Sequence, residues 1–156
     1  MTLETSRKQA IDRLLETLDL ASPDSDHAYD LYHHALTHSS YTYENKLATT
    51  ENYERLEFLG DAVLKLIVSE YLYDRFPDYR EGDLTKIRAV VVSDARLAEI
   101  ALQIDLGAFM VFGASEARSG GAKKTSNLAC GFEAMLGALF LDGKMSAARN
   151  LLCGLL

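Results

Sequence analysis

The chain has 156 residues, of which 48% are hydrophobic and 25% are charged, and its formal net charge is −7. This length fits one globular domain with a sizeable core. The negative charge argues against a protein that binds a polyanion by bulk electrostatics, since phosphate contacts usually depend on Lys and Arg. No run approaches the ~18 apolar residues of a membrane-spanning helix, and the N-terminus lacks the apolar core of a signal peptide. The two cysteines, Cys130 and Cys153, form no metal-binding motif, so a reducing cytoplasm is the expected location.

Apolar residues at helical spacing predict two helices before residue 40. The first should extend from about Ser6 to Leu18, because residues 11, 14, 15 and 18 form one apolar stripe. The second should follow a break near Pro23, with Asp26 or Asp30 as its N-cap. The sequence therefore predicts a helical start to the fold.

Three histidines, His33, His34 and His38, raise the question of a metal site. Adjacent histidines point to different sides of a helix. The chain has neither a His-Glu-x-x-His nor a Glu-x-x-His pattern. The sequence therefore gives little support to a histidine metal site.

The longest helix should follow a polar loop at residues 41–52. It should begin near Tyr53 and end near Phe76, where Pro77 stops it. Its second half carries apolar residues at 66, 67, 71 and 72, a spacing that indicates burial. This helix is expected to form the centre of the fold.

The next segment should form two further helices. Asp83 is placed to cap a helix that begins at Leu84. Apolar residues at 87, 90, 91, 97, 100 and 101 supply a face for the core, and Ser93 or Asp94 should divide it into two helices. Gly107 is expected to end the second one as a left-handed C-cap.

Residues 113–125 are glycine-rich and predict the most flexible segment of the chain. Three positive charges lie here in an acidic protein: Arg118, Lys123 and Lys124. The segment is either a plain surface loop or a contact for phosphate groups, which requires no base edge. Two final helices, at about residues 126–141 and 146–155, would complete an all-α chain.

The most informative stretch is residues 54–64, Glu-Arg-Leu-Glu-Phe-Leu-Gly-Asp-Ala-Val-Leu. On a helix, Glu54, Glu57 and Asp61 fall within about 60° of one another. Like charges at i,i+4 cost a helix ~0.2–0.5 kcal/mol unless they are neutralised. Mg²⁺ is a natural counter-ion, because it takes oxygen ligands and usually one or two carboxylates. The same acids also fit a solvated helix face, so the spacing alone leaves both interpretations open.

This stretch resembles the signature segment of the ribonuclease III family, and the likeness continues from residues 35–39 to residues 140–143. The resemblance implies an all-α, ribonuclease III-type endonuclease domain over residues 1–156, with no double-stranded-RNA-binding domain within the chain. It implies a homodimer that cleaves double-stranded RNA during RNA processing, by water activated with Mg²⁺ or Mn²⁺, leaving 5′-phosphate and 3′-hydroxyl ends. It also implies a structural hydrogen bond for His38.

The resemblance implies roles for individual acids. Glu57, Asp61 and Glu133 match metal ligands of the family. Asp61 and Glu133, together with Glu54, match its catalytic acids. Glu81 matches a further acid in a Glu-Gly-Asp segment. The site should therefore join the long helix to the helix that carries residue 133.

Cys130 departs from the family pattern, because it stands where the family has an aspartate. A thiol is a soft ligand, whereas Mg²⁺ prefers hard oxygen, so Cys130 is a doubtful metal ligand and also fits a small buried residue. The resemblance also implies that Phe58 lies at the dimer interface. The sequence pattern alone fits an ordinary core residue equally well. Two functions remain open: a metal-dependent endoribonuclease, and a catalytically impaired domain that acts as an RNA-binding or assembly scaffold. A di-iron bundle would require Glu-x-x-His motifs, which the sequence lacks.

Overall fold

Residues 2–155 are described by the structure, a computed structural model, and every regular element in this range is a helix. The only β feature in this range is an isolated bridge between Thr37 and Val111. Two short 3-10 helices occupy Leu106–Ala108 and Gly121–Lys123. The α-helices are α1 (Thr5–Thr17), α2 (Asp26–Ala35), α3 (Ser39–Glu44), α4 (Glu54–Arg75), α5 (Glu81–Val91), α6 (Asp94–Gln103), α7 (Ala114–Arg118), α8 (Thr125–Leu141) and α9 (Met145–Leu155). The predicted all-α fold is confirmed.

Helices α4 and α8 pack along each other at the centre of the fold. Their backbones touch at two glycines. A Cβ atom on Gly60 would lie 1.7 Å from the carbonyl oxygen of Glu133, and one on Gly137 would lie 2.4 Å from that of Leu56. Because no side chain fits at either position, glycine is what permits this approach. The contact sets the acidic residues of α4 beside those of α8.

The other helices enclose this pair. Helices α2, α6 and α9 pack against α8, α5 lies along α4, and α1 packs on α2. No helix in residues 2–155 is long and apolar enough to cross a membrane. The largest fully buried side chains form one core: Ile11, Leu14, Leu15, Tyr32, Leu36, Leu64, Ile67, Leu97, Ile100, Leu106, Leu128 and Phe132.

The predicted caps of α2 are wrong. Ser25, not Asp26 or Asp30, is the N-cap, and its hydroxyl accepts a hydrogen bond from the backbone N–H of Ala28 at 3.1 Å. Ser25 has the extended backbone of an N-cap (φ −151°, ψ 158°), so Asp26 is already the first helical residue. Asp26 still lies in the first turn, where a negative charge favours the helix dipole.

The loop predicted at residues 41–52 is partly wrong, because α3 extends to Glu44. His38 caps this helix, with its Nδ1 atom accepting a hydrogen bond from the backbone N–H of Ser40 at 3.0 Å. Six residues are too few to show a helical period in sequence. The cap therefore explains a helix that the pattern did not reveal.

Two predictions around α5 and α6 are also wrong. Helix α5 begins at Glu81, so Asp83 lies inside its first turn and does not cap it. The left-handed residue after α6 is Asp105 (φ 52°), not Gly107. Gly107 lies in a 3-10 helix, where a Cβ atom would meet the carbonyl oxygen of Ala122 at 2.2 Å. Its small size serves close packing instead of a turn.

The segment predicted to be the most flexible, residues 113–125, contains α7 and a 3-10 helix. The carboxylate of Glu44 accepts hydrogen bonds from the backbone N–H groups of Ala114 and Ser115, at 2.7 and 3.3 Å. Two apolar residues assigned to buried faces, Leu66 and Val90, are instead 57% and 70% exposed. The remaining boundaries, including the break at Ser93, agree with the prediction to within one or two residues.

Candidate active site

Three carboxylates come together where α4 crosses α8. Glu57 and Asp61 are one turn apart on α4, and Glu133 lies on α8 beside the Gly60 contact. Burial, followed by the charges of Asp61 and Glu57, raises the pKa of Glu133 to about 7. We call Glu57, Asp61 and Glu133 the acidic cluster. Its members repel one another strongly enough to favour a proton or a cation among them.

Lys65 is the positive side chain closest to this charge. Its Nζ lies 2.9 Å from Oδ2 of Asp61, at i,i+4 on α4, and it lowers the pKa of Glu133. Both members of the pair are about half exposed, so solvent screens their attraction and the pair adds little stability. One screened lysine does not neutralise three carboxylates.

Cys130 lies one turn before Glu133 on α8 and faces the same group of acids. Burial, a hydrogen-bonding interaction with Glu57, and the charges of Glu57, Glu133 and Asp94 raise the pKa of its thiol to about 12. Tyr53 is also close to Cys130, and burial followed by Cys130 raises the pKa of its hydroxyl. The thiol is therefore neutral at neutral pH and acts as a hydrogen-bonding group, which is a poor ligand for Mg²⁺.

Asp94 is a member of this neighbourhood that the sequence did not suggest as a site residue. It is the first residue of α6, and its charge raises the pKa of both Cys130 and Glu133. In the sequence Asp94 marked only a break between two helices. A usable signal was the spacing of residues 94, 97, 98 and 101, the last three of which are buried.

Glu54 and Glu81 are both exposed in the first turns of their helices. Glu54 is exposed at the start of α4, where its backbone N–H donates to the side chain of Asn52 at 3.1 Å. Glu81 accepts a hydrogen bond from the hydroxyl of Thr85 at 2.7 Å within α5. The structure brings together three of the five predicted acids.

The donor chemistry of the acidic cluster fits a hard divalent cation, because carboxylate oxygens are the ligands that Mg²⁺ and Mn²⁺ prefer. Among residues 2–155, no three His, Cys, Asp or Glu side chains lie close enough in the conformation described to hold one ion. Glu57 and Asp61 are only partly buried, so their side chains have room to rotate. Cys130 does not fit such an ion.

Of the three basic residues considered for RNA contact, Lys124 already has protein partners. Its Nζ lies 2.7 Å from Oε1 of Glu116 and 3.2 Å from the hydroxyl of Ser119. The hydrogen bond from Lys124 lowers the pKa of the Glu116 carboxyl. Arg118 and Lys123 are exposed, at the ends of α7 and of the second 3-10 helix.

His38 has the structural role that was predicted. Its ring nitrogens lie 2.7 Å from the hydroxyl of Ser40 and 3.1 Å from Oδ1 of Asn127, and its ring stacks on Tyr53 at 5.5 Å. Asn127 in turn donates to Glu116 at 2.9 Å. This network ties α3, the start of α4 and α8 together beside Cys130.

Phe58 is not a core residue, because 84% of its surface is exposed. It lies at a cavity of about 690 Å³ between α2, α4 and the end of α8. Four leucines line this cavity: Leu31, Leu56, Leu59 and Leu141. An exposed aromatic ring thus stands beside an apolar recess on the same surface.

Known proteins share this sequence and fold. A model of the ribonuclease-III-like family matches residues 29–154. The chain is 54% identical over 117 residues to a Ribonuclease 3 of Pelotomaculum thermopropionicum, covering 75% of this chain and 48% of that protein. It is 43% identical over 147 residues to a Ribonuclease 3 of Halalkalibacterium halodurans, covering 94% and 54%. The chain therefore spans about half the length of the curated relatives it matches.

Solved structures agree with the sequence relatives. A nuclease domain of ribonuclease III from Campylobacter jejuni, described as flexible in a region involved in dimer formation, superposes with a TM-score of 0.81 at 39% identity. That match covers 93% of this chain and 94% of the other. A Dicer from Pichia stipitis gives a TM-score of 0.55 at 26% identity, covering 80% and 54%. On the family match, the sequence identity and the shared fold, the chain belongs to the ribonuclease III family.

Proposed function

We propose that this chain is an endoribonuclease domain that hydrolyses double-stranded RNA with a divalent metal ion, Mg²⁺ or Mn²⁺, during RNA processing in the cytoplasm. The observation that carries the proposal is the convergence of Glu57, Asp61 and Glu133 across the α4–α8 contact, in a chain of the ribonuclease III family. Three carboxylates with one screened lysine form a site that favours a cation. The products are 5′-phosphate and 3′-hydroxyl ends.

Glu57, Asp61 and Glu133 would hold the ion. A bound divalent ion supplies Lewis-acid stabilisation of the charge that develops on the phosphodiester, and it activates water. The residues do the positioning. Lys65 orients Asp61 through their 2.9 Å contact, and Cys130 contacts Glu57 through its neutral thiol. Glu133 has a pKa of about 7 without an ion, and a bound divalent cation would favour its carboxylate form.

The domain works as a homodimer in this proposal. Phe58, Ala62 and Leu66 are exposed at i, i+4 and i+8 along α4, next to the cavity lined by leucines. A two-fold interface uses the same patch twice, so the ring of one protomer can fill the recess of its partner. The Campylobacter jejuni nuclease domain, described as having a region for dimer formation, supports this arrangement. Two related acidic clusters suit the two strands of a duplex.

The net charge of −7 limits how RNA is attracted. Exposed Arg118 and Lys123 are available for phosphate contacts, whereas Lys124 would first have to leave Glu116. Metal ions at the acidic clusters would supply the rest of the positive charge. Binding should therefore require the metal as well as the basic residues.

A second function, a catalytically impaired RNA-binding or assembly scaffold, is favoured by one observation. Cys130 occupies the position of a family carboxylate, and its thiol is neutral. Cys130→Asp separates the two functions. A strong rise in cleavage activity in this variant would indicate an enzyme with a weakened metal site. So would a wild type that cleaves only with Mn²⁺.

The test is incubation of a long double-stranded RNA with the protein in Mg²⁺ or Mn²⁺, followed by gel electrophoresis and by ligation of the products to detect 5′-phosphates. We expect the wild type to cleave the RNA. Glu133→Gln should lower the cleavage rate by at least about tenfold, which is the usual effect of losing a metal ligand or a residue that supports one. Glu99→Gln is the matched control, because Glu99 is exposed on α6 and pairs with Arg96 at 2.9 Å. Wild-type rates in Glu133→Gln would refute the site, and RNA binding without cleavage in either metal would establish the scaffold.

A further inference from the structure

A buried amide joins residues 113–125, which we call the basic segment, to helix α8. Asn127 lies in the first turn of α8 and is only 6% exposed. Its Nδ2 atom donates to Oε1 of Glu116 at 2.9 Å and to the carbonyl oxygen of Gly121 at 3.1 Å. Its Oδ1 atom lies 3.1 Å from Nε2 of His38. The amide therefore uses both of its N–H groups and its oxygen, which fixes its orientation.

The start of the basic segment is held through His38. The backbone N–H of Ser40 donates to Nδ1 of His38 at 3.0 Å, so in the neutral ring Nε2 carries the proton and donates it to Asn127. The hydroxyl oxygen of Ser40 accepts a hydrogen bond from the backbone N–H of Gly113 at 2.9 Å. Both ends of the basic segment are therefore held by one hydrogen-bonded network.

The same network extends to the helices of the acidic cluster. The ring of His38 stacks on Tyr53, and the carbonyl oxygen of Tyr53 accepts a hydrogen bond from the backbone N–H of Glu57 at 2.8 Å. On α8, Asn127 and Cys130 are three residues apart and so lie on the same side of the helix. The positions of the basic segment and of the acidic cluster are thus linked through Asn127 and His38.

The network leaves two cations of the basic segment exposed to solvent. Arg118 and Lys123 form no ion pair within residues 2–155, whereas Lys124 is paired with Glu116. The turn that leads to Lys123 is closely packed. A Cβ atom on Gly121 would lie 2.8 Å from Cγ and 2.9 Å from the backbone oxygen of Glu116. Arg118 and Lys123 therefore project from a backbone of fixed shape.

We propose that Asn127 is a positioning residue for RNA, because it holds the basic segment in the arrangement in which Arg118 and Lys123 contact the phosphates of a duplex. The inference rests on the proposed function, since it concerns the same RNA at the same site. Cations held in place before binding lose less conformational freedom on binding than cations on a loose loop. Without the amide the two charges remain, but their placement is lost.

The test measures the affinity of the full chain for a blunt RNA duplex at several salt concentrations, in a Glu133→Gln background where cleavage should be slow. The slope of log affinity against log salt reports the number of phosphates contacted, at close to one per contact. The double variant Arg118→Ala, Lys123→Ala should lower the magnitude of this slope by about 2. Asn127→Leu should lower it by a similar amount, although it removes no charge. Ser25→Ala, which removes a hydrogen bond at the cap of α2, should leave the slope unchanged.

A second variant keeps the test decisive if Asn127→Leu does not fold. Gly121→Ala retains the amide, but its Cβ atom would press against Glu116, so it should displace the turn and lower the slope as well. Circular dichroism and thermal melting show which variants are folded. In the background of Arg118→Ala and Lys123→Ala, either substitution should have little further effect, because it acts through the same two contacts.

The outcomes separate this inference from the proposed function. If folded Asn127→Leu, or Gly121→Ala in its place, keeps the slope of the starting protein while the wild type cleaves duplex RNA, the inference fails and the proposed function stands. The inference also fails if Ser25→Ala lowers the slope equally, or if the double variant of Arg118 and Lys123 leaves it unchanged. If the protein neither binds nor cleaves the duplex, both fail. A lower slope in Asn127→Leu alongside an unchanged slope in Ser25→Ala supports the inference.

Discussion

Gly60→Ala tests whether the backbone contact between α4 and α8 builds the site. The added Cβ atom would lie 1.7 Å from the carbonyl oxygen of Glu133 and 3.1 Å from the backbone nitrogen of Gly137, whereas real Cβ contacts stay beyond 3.0 Å. The obstacle is helical backbone on both sides, so no side chain can turn away. The two helices would have to move apart by more than 1 Å.

The expected cost follows from two opposing effects. Alanine in place of glycine favours a helix by about 1 kcal/mol. Overpacking a core costs about 1–3 kcal/mol and occasionally more, and here the clash involves the two central helices. We therefore expect Gly60→Ala to lower the free energy of unfolding by about 2 kcal/mol, which corresponds to a decrease in Tm of roughly 4–8 °C for a domain of this size.

Gly154→Ala is the matched control, because Gly154 lies in α9 and a Cβ atom there would meet nothing within 4 Å. Its Tm should stay the same or rise. Differential scanning calorimetry of both variants measures the contrast. Gly60→Ala should also weaken Mn²⁺ binding, because the movement separates Asp61 from Glu133. A Tm for Gly60→Ala that equals or exceeds that of the control would refute the close contact.

Three further predictions concern the proposed interface, the partly buried His33 and a helix cap. Phe58→Ala should dissociate the proposed dimer, because a loss of about 2 kcal/mol of binding free energy at each of the two copies raises the dimer Kd about 10³-fold. Light scattering measures the change in mass. A monomeric wild type would contradict the proposed interface. Burial, followed by the charge of Arg7, lowers the pKa of His33 from 6.5 to about 4, so the unfolded chain binds a proton between these pH values that the folded chain does not. The free energy of unfolding should therefore fall by about 3 kcal/mol as the pH drops through this window. His33→Gln should flatten the dependence of Tm on pH. Equal slopes of Tm against pH in the wild type and in the variant would exclude a contribution from His33. Ser25→Ala removes the N-cap hydrogen bond that the backbone N–H of Ala28 donates. It should lower the free energy of unfolding by about 1 kcal/mol and Tm by about 2–4 °C. An unchanged Tm would show that the cap is dispensable.

The features that the sequence predicted well are local ones. Apolar periodicity placed α1, α4, α8 and α9 to within one or two residues, because burial on one side of a helix leaves its mark in consecutive turns. Pro77 likewise fixed the end of α4. The family likeness predicted roles for Glu57, Asp61 and Glu133, and the fold places these three acids near the contact between α4 and α8.

The features that the sequence missed depend on contacts between distant segments. Helix α3 is capped by His38, whose ring is held by Asn127, 89 residues further along the chain. Glycine is an unfavourable residue inside a helix, and the reason for Gly60 is the backbone of Glu133, which leaves no room for a side chain. Asp94 affects the pKa of Glu133 because α6 packs on α8. No local sequence pattern reveals these contacts between distant segments.

Cys130 shows how the site balances folding against metal binding. Without an ion, burial and then the charges of the acidic cluster already raise the pKa of Glu133 to about 7, so a further carboxylate on α8 would add repulsion in a half-buried place. A neutral thiol avoids that cost while still offering Glu57 a hydrogen-bonding partner. A neutral residue at position 130 therefore spares this half-buried place a further charge when no ion is bound.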